Sequence, residues 1–251
     1  VVLSAIAMIL STNMAKAQTD YSHYYVNTPV KLEQPTLPTI PNLTVSITDF
    51  GAKGDGQTLN TEAFEKAIAH LTEKGGGHLT IPAGIWLTGP IELKSNIDLH
   101  LERQALLYFS PDKSLYLVPK GKSSRVYPGI RANDVHDVSI TGEGIIDGNG
   151  AQWRPVKRSK VSDTEWKEFK AMGGIEKQNG SLWYPWQMKS GIKDIAASPE
   201  AQEKMRNDLI RIVNCQRLLI KGVTVQNSPK FHVHPFNSTD VIIDGITVRC
   251  P

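Results

Sequence analysis

The sequence predicts an all-β fold, a parallel β-solenoid of stacked coils. A capping helix precedes the coils and a partly helical insertion interrupts them. Three observations predict this. The first is an internal repeat: Val138-Ser-Ile140-Thr-Gly142, Leu218-Leu-Ile220-Lys-Gly222 and Val241-Ile-Ile243-Asp-Gly245 share one pattern, and the last two copies start 23 residues apart. The second is the position four residues before each copy, which holds Asp134, Asn214 or Asn237. The third is a change at His78 from helical to short alternating periodicity. A period in the low twenties, with short strands and turn residues at fixed places, suits coils that bury their apolar faces only by stacking. A β-sandwich with coincidental spacing is the competing arrangement.

The first residues, "VVLSAIAMILSTNMAKAQTD", read as a signal peptide over 1–17 whose start is clipped. An apolar run from Val1 to Leu10 leads to Ala15-Lys16-Ala17, an A-x-A cleavage site with Gln18 as the mature start. The run is too short to span a bilayer. A buried apolar helix is the alternative. The expected location is extracytoplasmic. Residues 18–44 carry Pro29, Pro35, Pro38 and Pro41 and read as an extended lead-in. The coils occupy 45–251.

Asn60 or Thr61 can cap a helix over 61–74, with Phe64, Ala67, Ile68 and Leu71 on one face. Gly75 to Gly77 ends it. This single amphipathic helix is placed to cover the open edge of a first coil. Gly51, Gly54 and Gly56 form a turn, with no Lys-Ser/Thr after them to make a phosphate loop.

From 78 onward the runs "HLTIPAG", "IWLTG", "PIELKSN", "IDLHLERQ" and "ALLYFS" read as closely spaced strands. Residues 151–207 interrupt the coils. They hold Trp153, Trp166, Trp183 and Trp186, four of the five tryptophans, and two helical stretches, "TEWKEFKAM" and "PEAQEKMRND". These aromatics either face solvent, where they suit sugar rings, or form the core of the insertion. Cys215 and Cys250 are 35 residues apart, one coil plus about half a coil, so they fall on opposite sides of a solenoid and form no disulfide.

Composition sets outer bounds. The chain has 251 residues, 40% hydrophobic and 21% charged, which is soluble and globular in character. A net charge of +3 is too weak to indicate nucleic acid and permits an acidic ligand.

Four stretches, "ITDFGAKGDGQTLNTEAFEKAI", "GGGHLTIPAGIWLTGPIELKSNIDLHLE", "ITGEGIIDGNG" and "LIRIVNCQRLLIKGVTVQNSPKFHVHPFNSTDVIIDGITV", resemble glycoside hydrolase family 28, the polygalacturonases and their relatives. The resemblance covers about 45–150 and 208–251, and the "NSPKFHVHP" block narrows it. It implies a right-handed parallel β-helix that hydrolyses galacturonan with inversion, using paired aspartates. One carboxylic acid protonates the leaving oxygen and another carboxylate activates water, roughly 6.5–9.5 Å away. In that family the aspartates follow the strand that here ends at Cys250-Pro251. No catalytic residue is therefore assigned, the C-terminal coils are taken as missing, and the chain alone is expected to be inactive with an open apolar end.

His232 and His234 stand two apart and, on a strand, face one side. With Lys230 they are the candidate substrate-binding residues, since the resemblance places this strand beneath the substrate groove. Alternatively the histidines pack to shape the groove wall. Arg249 is a further cation for a uronate, and Asp240 and Asp244 read as turn residues. A metal site needs a third ligand, which the spacing does not supply. No metal and no cofactor are expected. The expected partner is acidic pectic polysaccharide, with no nucleic acid, no membrane in the mature form, and a monomeric state. A lyase on the same scaffold, or a glycan-binding or structural β-helix, are the competing functions. Exo or endo action is left open.

Overall fold

A computed structural model describes residues 21–119, 126–185 and 198–250. The signal-peptide reading of 1–17, and Trp186, lie outside these. The chain divides into two units, 1–34 and 35–251. Within the first, a 3-10 turn over Ser22–Tyr25 brings the His23 and Tyr24 rings to 4.0 Å.

The second unit is a right-handed parallel β-helix. In chain order its elements begin with β1 (Thr44–Ser46), α1 (Thr61–Glu73), β2 (Gly77–Ile81), β3 (Gly84–Thr88), β4 (Ile91–Glu92), β5 (Ile97–Leu101) and β6 (Ala105–Phe109). Then come β7 (Ile130–Gly142), β8 (Ile145–Asp147), β9 (Val156–Lys157), α2 (Asp163–Ala171), β10 (Ile175–Glu176) and β11 (Leu182–Tyr184). The last are α3 (Pro199–Met205), β12 (Ile210–Lys221), β13 (Thr224–Gln226), β14 (Val233–Phe236), β15 (Thr239–Asp244) and β16 (Thr247–Arg249).

One long sheet runs β1-β2-β5-β7-β12-β14, with β4 beside β7 and β15 beside β12; a second runs β3-β6-β8-β13-β16. Every pairing in both is parallel.

The repeat is the register. Leu218 pairs with Val138 and Val241, and Ile220 with Ile140 and Ile243. Inward columns follow: Leu79, Leu99, Ile140 and Ile220 stack in one sheet, and Leu107, Ile146 and Val225 in the other, all fully buried. The repeat glycine has a steric cause. Gly142 sits at φ 109°, and a Cβ there would lie 1.9 Å from the Leu101 carbonyl oxygen. In the last described coil the column members Ile243 and Val248 are 45% and 51% exposed.

The turn residues form a side-chain ladder. Asn214 Nδ2 donates to Asp134 Oδ1 (2.7 Å) and Asn237 Nδ2 to Asn214 Oδ1 (2.6 Å). All three adopt left-handed φ, near 50°, which Asn and Asp tolerate best. A second left-handed position follows three residues later, as Asp137, Arg217 and Asp240. Arg217 donates to both carboxylate oxygens of Asp137, at 2.7 and 2.6 Å. The proline-rich segment after Gln34 crosses this row: Thr36 N donates to Asp240 Oδ1 (2.9 Å) and Thr39 N to Asp137 Oδ1 (2.8 Å). It then joins the sheet as β1 beside β2. It is thus a strap laid along the coils.

Helix α1 covers the first coil with Phe64, Ala67, Ile68 and Leu71, all buried. Its N-cap is Asn60, but the side chain does not cap the helix. Asn60 Oδ1 instead accepts from Lys53 N, and Nδ2 donates to the carbonyls of Lys53, Thr58 and Leu87.

The insertion is partly helical, as expected, and adds an antiparallel sheet, β10-β11-β9, that the sequence did not suggest. Among the described residues its tryptophans turn inward. Trp153, Trp166, Trp183 and Tyr184 are buried, and Trp153 packs edge-on to Tyr116 in the solenoid core. Both cysteine thiols are free; Cys215 is buried, which pushes it up to about 11, and Cys250 is exposed.

Candidate functional site

Side chains alternate across a strand, so positions beside the inward columns face outward. On the long sheet, Glu92, Arg131, Arg211 and His234 fall in one row by register. Asn133, Val213 and Phe236 form the next row on the same face. Loops at the strand starts raise walls around these rows. The result is a groove of about 700 Å³. Its charged lining is Arg131, Lys204, Arg206, Arg211 and Lys230 against Asp134 and Asp208. Five cations face two carboxylates.

Most of these charges are held in place. Asp208 is buried and accepts from His234 Nδ1 (2.7 Å) and Arg211 Nη1 (3.2 Å). Arg206 Nε donates to the Pro229 carbonyl (3.0 Å) and its Nη1 to Glu203 (2.7 Å). The Arg131 guanidinium stacks 3.7 Å over the Tyr127 ring and pairs with Glu92, which also binds Lys94. Burial alone would raise the Glu92 carboxyl, but Lys94 and Arg131 together hold it below the usual range. Among the described residues, no carboxylate lies within ion-pair distance of Lys204 or Lys230. Both are exposed.

The three sequence candidates separate. Lys230 lines the groove. His234 lies in the outward row of β14, bound to Asp208, with Phe231 and Phe236 edge-on at 5.4 and 6.2 Å. His232 has other neighbours. It stands in a bend just before β14, and its carbonyl accepts from Ile210 N at 3.1 Å. Its Nε2 lies 3.2 Å from the Arg249 carbonyl oxygen and 3.4 Å from Ser228 N. Burial depresses its basicity. Arg249, also considered from sequence, meets this histidine through its backbone and is absent from the groove lining.

Arg131, Arg206, Asp208 and Arg211 escaped the sequence reading. Arg211 alternates with Ile210 and Ile212 in "LIRIV", the signal for an outward position on a buried strand.

Taken together, the fold and groove define a parallel β-helix with a cationic cleft on one sheet. Such a cleft attracts anionic groups. The family model described as "Rhamnogalacturonase A/epimerase, pectate lyase-like" matches residues 44–100. A Vitis vinifera protein described as a "probable polygalacturonase" is 34% identical over 82% of this chain and 37% of its own length. The exo-poly-alpha-D-galacturonosidase of Dickeya chrysanthemi is 28% identical over 80% of this chain and 35% of its own. Among solved structures, a hyperthermoactive exopolygalacturonase from Thermotoga maritima superposes with a TM-score of 0.61 at 31% identity, covering 86% of this chain and 49% of that one. The chain therefore spans little more than a third of the length of these curated relatives.

Proposed function

We propose that this chain carries the polymer-binding face of a secreted glycoside hydrolase that degrades pectic polysaccharide. The observation that carries the reading is the row Arg131–Arg211–His234, one cationic or titratable side chain per coil, flanked by Lys204, Arg206 and Lys230. Neighbouring strands lie ~4.8 Å apart, so successive cations are spaced to meet carboxylates along a uronate chain. The relatives named above support galacturonan as that chain. In the complete enzyme, paired aspartates outside these 251 residues hydrolyse α-galacturonosidic links with inversion.

Within the chain itself the groove binds without cleaving. Asp208 is committed to His234 and Arg211, and Asp134 to Asn214. Neither stands as an unengaged acid or base.

Affinity electrophoresis tests the reading. The chain is slowed in gels containing polygalacturonate and runs freely in gels containing neutral galactan, and salt abolishes the difference. Equal mobility in both gels would refute it. Release of reducing sugar by the purified chain would refute the binding-only assignment.

A further inference from the structure

The groove row changes character at one end. Passing from His234 through Arg211 and Arg131, the next outward position is Glu92, a carboxylate. Beyond Glu92 a second hollow of about 630 Å³ opens between α1 and β4. The two hollows share Tyr127 and Arg131 as lining, so they are adjacent. The walls of the second are Phe64, Ile68, Ile91, Leu115 and the Tyr127 ring, with Glu65 and Glu73 at the rim. Its two cations, Arg131 and Lys94, are both taken up by Glu92. A free uronate entering here meets carboxylates and apolar carbon, and finds its counter-charges occupied. A neutral unit with an apolar substituent meets neither penalty.

We propose that this end of the groove is a subsite for a methyl-esterified uronate in the same polymer whose free uronates bind farther along the groove, at Arg211, Lys204 and Lys230. The ester removes the charge, and its methyl group rests against the apolar wall beneath α1. The preferred ligand is then a partly esterified galacturonan. This rests on the pectic reading above and names a pattern of substitution within it.

The test uses the whole 251-residue chain and three short oligogalacturonates of equal length: unesterified, partly methyl-esterified and fully methyl-esterified. Titration calorimetry is expected to rank the partly esterified oligomer tightest, about tenfold over the unesterified one, with the fully esterified one weakest. In the Glu65→Lys/Glu73→Lys variant, both exposed positions on α1, the preference shrinks toward one because the unesterified oligomer gains. Saturation transfer from protein to ligand is expected to be strongest at the ester methyl. An unesterified oligomer that binds tightest, a preference unmoved by the double variant, or a silent ester methyl each overturns the subsite while leaving pectate binding intact. Failure of all three oligomers to bind overturns the pectic reading itself, and the subsite with it.

Discussion

Replacing Asp137 by Asn tests how the turn rows hold the coils together. Asp137 has a left-handed backbone, φ 55°, which Asn adopts readily, so the change removes charge with little strain. Its side chain is 7% exposed and accepts two bonds from Arg217, one from Thr39 N and one from His136. Breaking a buried ion pair by removing one partner costs about 3–5 kcal/mol, because the other charge is left without compensation. Arg217 is 24% exposed, and Asp240 acts on it from the next coil, so the low end applies: about 3 kcal/mol. For a domain of this size that is about 6–12 °C in Tm. The Arg217 guanidinium, ahead of the Thr39 and His136 bonds, holds the Asp137 carboxyl far below the usual range. A depressed carboxylate stabilises fully above its unfolded pKa and loses that contribution as pH falls toward the native value. The gap between wild type and variant is therefore complete above about pH 4 and closes on acidification. Urea unfolding followed by circular dichroism at pH 7 and at low pH measures both. A loss under about 1 kcal/mol at pH 7, or a gap that widens in acid, would refute the argument.

Four further outcomes are expected. Gly142→Ala places a methyl against the Leu101 carbonyl in a left-handed position and costs about 3 kcal/mol or more, read as loss of soluble protein or of the urea midpoint. Lys113 is buried, donates to the Pro185 carbonyl at 3.1 Å, and is pushed down to about 8 by burial. Since the unfolded lysine holds its proton to about pH 10.4, stability rises between pH 8 and 10; the Lys113→Met variant lacks that rise in a pH series of thermal melts. Arg211→Met leaves the fold intact by circular dichroism and weakens polygalacturonate binding about tenfold by calorimetry, the order of one charge-assisted contact. Expression with an added start codon and n-region yields a mature N-terminus at Gln18, and N-terminal sequencing of exported protein that reads otherwise refutes the leader assignment.

The register was legible because the solenoid writes it into the chain. The apolar, turn and glycine positions recur, and each must meet its counterpart one coil away. Leu218 and Ile220 could be paired with Val241 and Ile243 from spacing alone. The second turn row was not legible, because its members are Asp137, Arg217 and Asp240: alternating charge breaks identity even as it satisfies the same backbone geometry. The groove was half legible. Lys230 and His234 stand in one recognisable block, whereas Arg131 lies 80 residues before its neighbour Arg211, with the insertion between them. Spacing cannot say that two such residues touch adjacent strands. The insertion's tryptophans left two readings open for a related reason: composition reports ring content but not which way rings point. Strands of two or three residues such as β9, β10 and β11 carry too little periodicity to be seen.

The strap has a consequence in time. Thr36 is joined to Asp240, 204 residues later. On a ribosome adding about 5–20 residues per second, roughly 10–40 seconds pass between the synthesis of one partner and the other. The coils can stack as they emerge, each on its predecessor, but the amide of Thr36 has no partner until nearly the whole described chain exists. The strap therefore docks in stages, with β1 meeting β2 first, Thr39 meeting Asp137 next and Thr36 meeting Asp240 last.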